Sequence, residues 1–195
     1  MKLVLATRNR GKVREIDEML RDRKAIECLS LADFPDAPDV IESGKTYQEN
    51  AIQKATVIAQ YTGCLTLADD SGLEVDALDG APGVHSARYA GENASDADRI
   101  AKLLDALKDV PDERRTARFK CAIALVAPSG HTQVVIGVCE GRMIRAPRGR
   151  GGFGYDPVFV PSGYDQTFAE LGAGVKNRIS HRAQALEMAK ELLRC

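Results

Sequence analysis

The sequence has almost no excess of charge. Its 27 lysines and arginines stand against 28 aspartates and glutamates, leaving −1 over 195 residues. No basic field exists of the kind that holds duplex or single-stranded nucleic acid without specificity. Paired cysteines are also missing. Cys28, Cys64, Cys121, Cys139 and Cys195 form an odd set with no Cys-x-x-Cys, which excludes a zinc site or a disulfide framework and points to a reducing, cytoplasmic compartment. Long apolar runs are absent, so no membrane span is expected. Leu3–Ala6, the apolar run after Lys2, is too short for the core of a signal peptide. No repeat, low-complexity stretch or linker breaks the chain, and a single domain over 1–195 is expected. At 44% hydrophobic and 28% charged residues it has the balance of an ordinary globular protein, long enough to bury a core.

What is present is a series of β-to-α units with chemistry at their junctions. Leu3–Ala6 reads as a buried strand, followed by Thr7-Arg8-Asn9-Arg10-Gly11-Lys12 and a helix with Val13, Ile16 and Leu20 on one face. Backbone N–H groups and the helix dipole would face an anion there, with Lys12 adding a full charge in the first turn. The Gly-x-x-x-x-Gly-Lys spacing of a Walker A loop is absent, and a plain helix cap with solvated cations is the alternative. Ile26–Leu31 reads as a second strand. Glu42 lies in the loop that follows and is by itself one more surface acid. Thr46-x-x-Glu49 opens a helix with Ala51, Ile52, Ala55, Ile58 and Ala59 inward and Lys54 off that face.

The stretch Leu65-Thr-Leu-Ala-Asp-Asp-Ser-Gly-Leu73 organises the rest. It reads as a short strand ending at Asp69-Asp70-Ser71-Gly72. Adjacent carboxylates at a strand exit suggest a cation between them and something anionic, and a solvated turn is the competing reading. Leu73–Leu78 alternates like a second strand or an extended edge, and Gly80–Gly91 reads as a loop. Ser95-x-x-Asp98 caps a helix with Ile100, Leu103, Leu104 and Leu107 inward, and Ala117–Ala127 with Thr132–Glu140 reads as a long hairpin. β–α units at the ends and a hairpin in the middle imply a mixed sheet. The glycine-rich loop Gly149–Pro157 brings backbone close to a ligand and offers Phe153 for stacking, or tucks that ring into the core. Lys176 precedes Ser180-His-Arg-Ala-Gln184, which reads as a capping segment opening a last helix with Leu186, Ala189, Leu192 and Leu193 inward. His181 and Arg182 then fall in its first turn, where the dipole disfavours cations, so an anionic or carbonyl-bearing ligand accounts for them better than the fold does.

Six segments in order resemble the inosine triphosphate pyrophosphatase family. They are Leu5–Lys12, Glu49-Asn-Ala-x-x-Lys54, Ala68–Leu73, Gly83-Val-His-Ser-Ala-Arg-Tyr89, Gly151–Pro157 and Ile179-Ser-His-Arg182. The resemblance runs from Leu3 to about Leu193. Arg150 departs from it, standing where small hydroxyl residues are usual. It implies an elongated α/β molecule with a mixed β-sheet flanked by helices, two lobes and a nucleotide cleft between them, usually as a homodimer. It further implies hydrolysis of non-standard purine triphosphates (ITP, dITP, XTP) to the monophosphate and pyrophosphate. By position, Thr7, Arg8, Asn9, Arg10, Gly11 and Lys12 with Ser71 and Lys176 would hold phosphates. Glu42 and Asp70 would hold Mg²⁺, Asp70 would also act on the attacking water, and Phe153, Gly154, Tyr155, Asp156, His181 and Arg182 would hold the base.

The residue types suit that chemistry. A triphosphate must be neutralised before water can reach phosphorus, and lysines with a hard cation on carboxylates do so. Water needs only an oriented carboxylate to take its proton. Hypoxanthine and xanthine present a 6-oxo acceptor where adenine presents an amino donor, so donors from His181 and Arg182 would favour the former. Two other readings compete. One is a pyrophosphatase for modified pyrimidine or methylated nucleotides, against which Ser180-His-Arg182 argues. The other is a non-catalytic nucleotide sensor, which would gain little from the carboxylate pair Asp69-Asp70.

Overall fold

A computed structural model describes residues 1–193, so Cys195 lies outside the described residues. Six strands form one sheet in the order β2-β1-β3-β4-β5-β6. They are β1 (Lys2–Leu5), β2 (Glu27–Ser30), β3 (Leu65–Val75), β4 (Thr116–Val126), β5 (Thr132–Met143) and β6 (Phe159–Pro161). β1 pairs in parallel with β2 and β3, whereas β5 and β6 are antiparallel. The sheet is therefore mixed, as the order of units implies. Five helices accompany it: α1 (Arg10–Leu20), α2 (Tyr47–Thr62), α3 (Asp96–Ala106), α4 (Phe168–Ile179) and α5 (His181–Leu192).

Helix starts follow their capping residues. Asn9 Oδ1 accepts from the Gly11 and Lys12 amides to begin α1. Ser95 with Asp98, and Thr167 with Glu170, form complete capping boxes on α3 and α4. At α2 only half of the expected box forms. Thr46 accepts from the Glu49 amide, and the Glu49 carboxylate instead accepts from the Lys45 amide at 2.6 Å. Gly63, at φ 64°, ends α2 in the left-handed conformation that glycine adopts most cheaply.

The chain divides into two compact units. One holds Met1–Asp70, Cys121–Gly137 and the segment from Ala183; the other holds Ser71–Lys120 and Val138–Arg182. The core of the first is aliphatic, with Leu3, Leu5, Ile16, Leu67, Ile123 and Leu186 fully or almost fully buried. The second is built around Leu73, Leu103 and Leu107 with the rings of Phe119, Phe159 and Phe168. Phe119 meets Phe159 edge-on at 4.6 Å between centroids, a geometry that aromatic quadrupoles favour.

Three expectations are corrected. The strand does not stop at Asp69-Asp70: β3 runs on to Val75 with both carboxylates in mid-strand and buried. Lysines and an amide partner them there, which lets a strand carry charges that a solvated turn would otherwise take. Gly83–Arg88, expected as loop, winds into a 3-10 helix. Leu192 points outward, at 36% exposure, while Leu186 and Ala189 are buried as expected.

Candidate active site

Two groups of polar side chains stand out, one on each unit. The first gathers on β3, α1, α2 and the loop before α2. Asp69 and Asp70 are successive strand residues, so their side chains point to opposite faces of the sheet, and each finds its own cation. The Asp69 side chain is fully buried, and Oδ2 takes Lys12 Nζ from the first turns of α1 at 3.0 Å. On the other face, Asp70 Oδ2 accepts from Asn50 Nδ2 at 3.0 Å, while Oδ1 lies 3.8 Å from Lys54 Nζ. Lys54 also donates to Glu42 Oε1 at 2.7 Å and to the Asp69 carbonyl at 2.8 Å. Its ammonium is thus ringed by oxygens from three residues.

The electrostatics of this group are asymmetric. Burial pushes the Asp70 carboxyl above its ordinary value; Lys54 opposes the shift, Glu42 adds to it, and Lys12 and the Asn50 hydrogen bond oppose it. For Lys54 burial favours the neutral amine, but the charges of Asp70, Asp69 and Glu42 outweigh it, and the ammonium is held above its ordinary value. The site therefore keeps its lysine charged and makes its central carboxylate a stronger base than a surface aspartate.

Glu42 and Asp70 supply hard oxygen donors of the type Mg²⁺ selects. Among the described residues, no three His, Cys, Asp or Glu side chains converge to hold a metal on their own. A divalent ion resting on these two carboxylates would complete its shell with phosphate oxygens and water, which is how Mg²⁺ commonly travels with nucleotides. The residues present fit that ion.

The rest of the Thr7–Lys12 loop disperses. Thr7 Oγ1 accepts from the Asn9 amide at 3.2 Å. Arg8 turns to Asp39 Oδ1 at 3.0 Å and the Ala37 carbonyl at 2.9 Å. Gly11 lies within α1, its amide taken by Asn9. Thr7, Arg8 and Arg10 line a cavity of about 590 Å³ shared with Arg14, Cys28 and Asp33. Only Lys12 reaches the carboxylates of β3.

The second group surrounds Phe153. Asp156, almost fully buried, accepts from the Phe153 amide at 2.9 Å and from Lys176 Nζ at 2.6 Å. Gly152, at φ 74°, closes the turn so tightly that a Cβ there would sit 2.0 Å from Asp156 Oδ2, so glycine is required. The Gly154 amide donates to Asp96 Oδ2 on α3 at 2.7 Å. Tyr155 is buried, its hydroxyl donates to the Ser86 carbonyl at 2.8 Å, and burial raises its pKa. Lys176 Nζ lies 4.4 Å and Arg182 Cζ 5.7 Å from the centre of the Phe153 ring, both cation–π distances. His181 stacks on Phe119 at 4.8 Å with only 12° between planes. Arg182, fully buried, donates to Ser71 Oγ at 3.0 Å.

Glu42, Asp70 and Lys12 are thus together on one unit. Phe153–Asp156, His181 and Arg182 are together on the other, where they are joined by Ser71 and Lys176, two residues the resemblance assigns to phosphates. Asp156 draws Lys176 into that company, because a buried ammonium needs a counter-charge. Sequence reading gave no role to Asn50 or Asp96. For Asn50 a signal existed: it falls on the same helical stripe as Tyr47, Ala51 and Ile58, where a buried amide must find partners. For Asp96 none did, since a first-turn aspartate is ordinary.

A fold of parallel β–α units joined to an antiparallel extension, carrying paired carboxylates and lysines at its centre, is that of a family. The family model described as Ham1 matches residues 3–192, and the chain belongs to the Ham1 family. It is 55% identical over 192 residues to the dITP/XTP pyrophosphatase of Geobacter sulfurreducens, covering 98% of this chain and 96% of that one. It is 53% identical to the protein of the same name from Desulforamulus reducens, over 99% and 96% of the two chains. Among solved structures, a HAM1 protein from Coxiella burnetii superposes with a TM-score of 0.89 at 47% identity, over 99% of this chain and 98% of that one. No helix among the described residues is long and apolar enough to cross a membrane.

Proposed function

We propose that the chain is a nucleoside triphosphate pyrophosphatase that hydrolyses non-standard purine nucleotides, dITP, ITP and XTP, to the monophosphate and pyrophosphate. The observation that carries this reading is the buried Asp70 carboxylate, flanked by Glu42, Lys54 and Asn50, in a chain about half identical to enzymes named for dITP and XTP. A buried carboxylate with a raised pKa accepts a proton near neutrality better than a surface one does.

In this reading a water oxygen attacks the α-phosphorus while Asp70 takes one of its protons. The bond from the α-phosphorus to the bridging oxygen breaks, and pyrophosphate leaves with that electron pair. Lys12 and Lys54 neutralise phosphate oxygens and hold the chain of phosphates in line with the water. Glu42 and Asp70 would hold Mg²⁺, which would supply further neutralisation of the polyphosphate. At the other end Phe153 stacks on the purine. Arg182 and His181 offer donors to its 6-oxo group, an acceptor that adenine lacks, and Asp156 keeps Lys176 and the Phe153 turn in place. A homodimer in the cytoplasm completes the proposal; it rests on the resemblance and on an odd set of five cysteines with no Cys-x-x-Cys.

The test is pyrophosphate release from dITP, ITP, XTP, ATP and GTP, with and without Mg²⁺. Release confined to the first three and dependent on Mg²⁺ is expected. Orthophosphate as the product, or equal rates with ATP, rejects the proposal.

A further inference from the structure

The loop that carries Glu42 is held residue by residue against one face of α2. Glu42 is taken by Lys54 at 2.7 Å and the Ser43 amide by Gln53 Oε1 at 3.4 Å. The Gly44 amide is taken by Asn50 Oδ1 at 2.8 Å and the Lys45 amide by Glu49 Oε2 at 2.6 Å. Positions 49, 50, 53 and 54 fall on one helical face, so α2 acts as a template for four successive loop residues. Asn50 does more than its neighbours. Fully buried, it uses its other end to donate to Asp70 Oδ2. An amide nitrogen can only donate, so the Gly44 N–H fixes which way the Asn50 side chain faces: oxygen to the loop, NH₂ to Asp70. The approach leaves no slack, because a Cβ on Gly44 would sit 2.7 Å from Asn50 Oδ1 and 2.7 Å from Glu49 Cβ.

We propose that Asn50 is a positioning residue that sets the orientation of the Asp70 carboxylate and ties it to the Glu42 loop. The proposal rests on the reading of Asp70 as the proton acceptor. Asn50 anchors one carboxylate oxygen and leaves the other on the side of Lys54, which also holds Glu42, so the amide sets how Asp70 is turned toward the second acid. A role confined to filling space and pairing buried atoms would make different demands, because then shape alone would matter.

The experiment compares Asn50→Asp, Asn50→Ala and Gly44→Ala with wild type, using Mg²⁺-supported pyrophosphate release from dITP together with thermal unfolding. Asn50→Asp keeps the shape and the acceptor for Gly44 but turns an oxygen toward Asp70. It should lose kcat tenfold to hundredfold, at least as much as Asn50→Ala, with KM changed less than threefold, since misplacing a reacting group by about 1 Å has an effect of this order. Gly44→Ala, which crowds Asn50 without replacing it, should show the same kcat-specific loss. The paired variant Asn50→Asp/Asp70→Asn restores an amide-to-carboxylate bond with the roles exchanged. It should regain the Tm lost in Asn50→Asp without regaining kcat. Wild-type kcat in Asn50→Asp, a loss confined to KM, or no recovery of Tm in the pair overturns the proposal. A wild-type protein that releases no pyrophosphate would instead sink the functional reading, and the Tm comparison would still decide whether Asn50 holds Asp70.

Discussion

The two polar groups bury charge among different partners. Around Asp70, the carboxylates of Glu42, Asp69 and Asp70 are met by the ammoniums of Lys12 and Lys54. Around Phe153, Lys176 pairs with the carboxylate of Asp156, and Lys176 and Arg182 both lie against an aromatic ring. The difference teaches that burial selects neither sign of charge and asks only that each charge find its partners. In the proposed function the first group would take the phosphates and their metal, and the second a flat ring bearing a carbonyl.

The largest expected effect breaks the chemical half. Asp70→Asn is nearly isosteric and keeps an oxygen for Asn50, yet it removes the carboxylate proposed to accept the proton. A kcat loss of about 10²–10⁴ is expected on every substrate, measured as pyrophosphate release with circular dichroism to confirm the fold. A folded variant retaining more than a few per cent of turnover would remove Asp70 from that role. The same substitution removes a buried charge that the fold tolerates poorly, so its Tm at neutral pH should equal or exceed that of wild type, a trade of stability for function.

Lys12→Ala is next. Losing a charged contact to phosphate costs about 1.5–3 kcal/mol, roughly tenfold to hundredfold in kcat/KM. The loss should be the same for dITP, XTP and ATP, because the phosphates are common to all. The change also leaves Asp69, whose side chain is fully buried, without this cation, so a lower Tm should accompany it. A shifted preference among bases would place Lys12 at the selecting end.

The smallest effect is graded with pH. Burial raises the Asp70 pKa in the metal-free protein, so in Mg²⁺-free solution its carboxyl should titrate above the ordinary aspartate value near 4. The folded carboxyl holds its proton more tightly than the unfolded one, so its contribution is full below the unfolded pKa and is lost as pH rises through the raised folded value. Without Mg²⁺, unfolding midpoints across that window should fall for wild type relative to Asp70→Asn. Midpoints that rise for wild type relative to the variant contradict this account.

Much of this was legible in the sequence because local rules decide it. The apolar stripes gave the helices, the hairpin was visible between Ala117 and Glu140, and six short motifs carried the family. The strand through Asp69-Asp70 was misread as ending there, because two adjacent acids look like an exit until their partners are known. Those partners, Lys12 on α1 and Asn50 and Lys54 on α2, are 57, 20 and 15 residues away from the acids they meet, and no local pattern reports pairing over such separations. Neither β6 nor α4 was foreseen: three residues of strand are too few for a period, and Gly172, with φ 75° inside α4, interrupts its pattern. Ser71 and Lys176 went to the Phe153 group for reasons that only packing reveals.

The proposed separation of chemistry from selection is tested most directly by the ratio of kcat/KM for ITP to that for ATP in wild type, Lys12→Ala and Arg182→Ala, at saturating Mg²⁺. In the proposed function Arg182 would donate a charge-assisted hydrogen bond, on the order of 1.5–3 kcal/mol, to an oxygen that adenine does not have. Its loss should lower ITP turnover about tenfold to hundredfold and ATP turnover much less, narrowing the ratio, while Lys12→Ala leaves the ratio where it was. Equal losses on both nucleotides in Arg182→Ala, in a variant that remains folded at the assay temperature, would contradict the account.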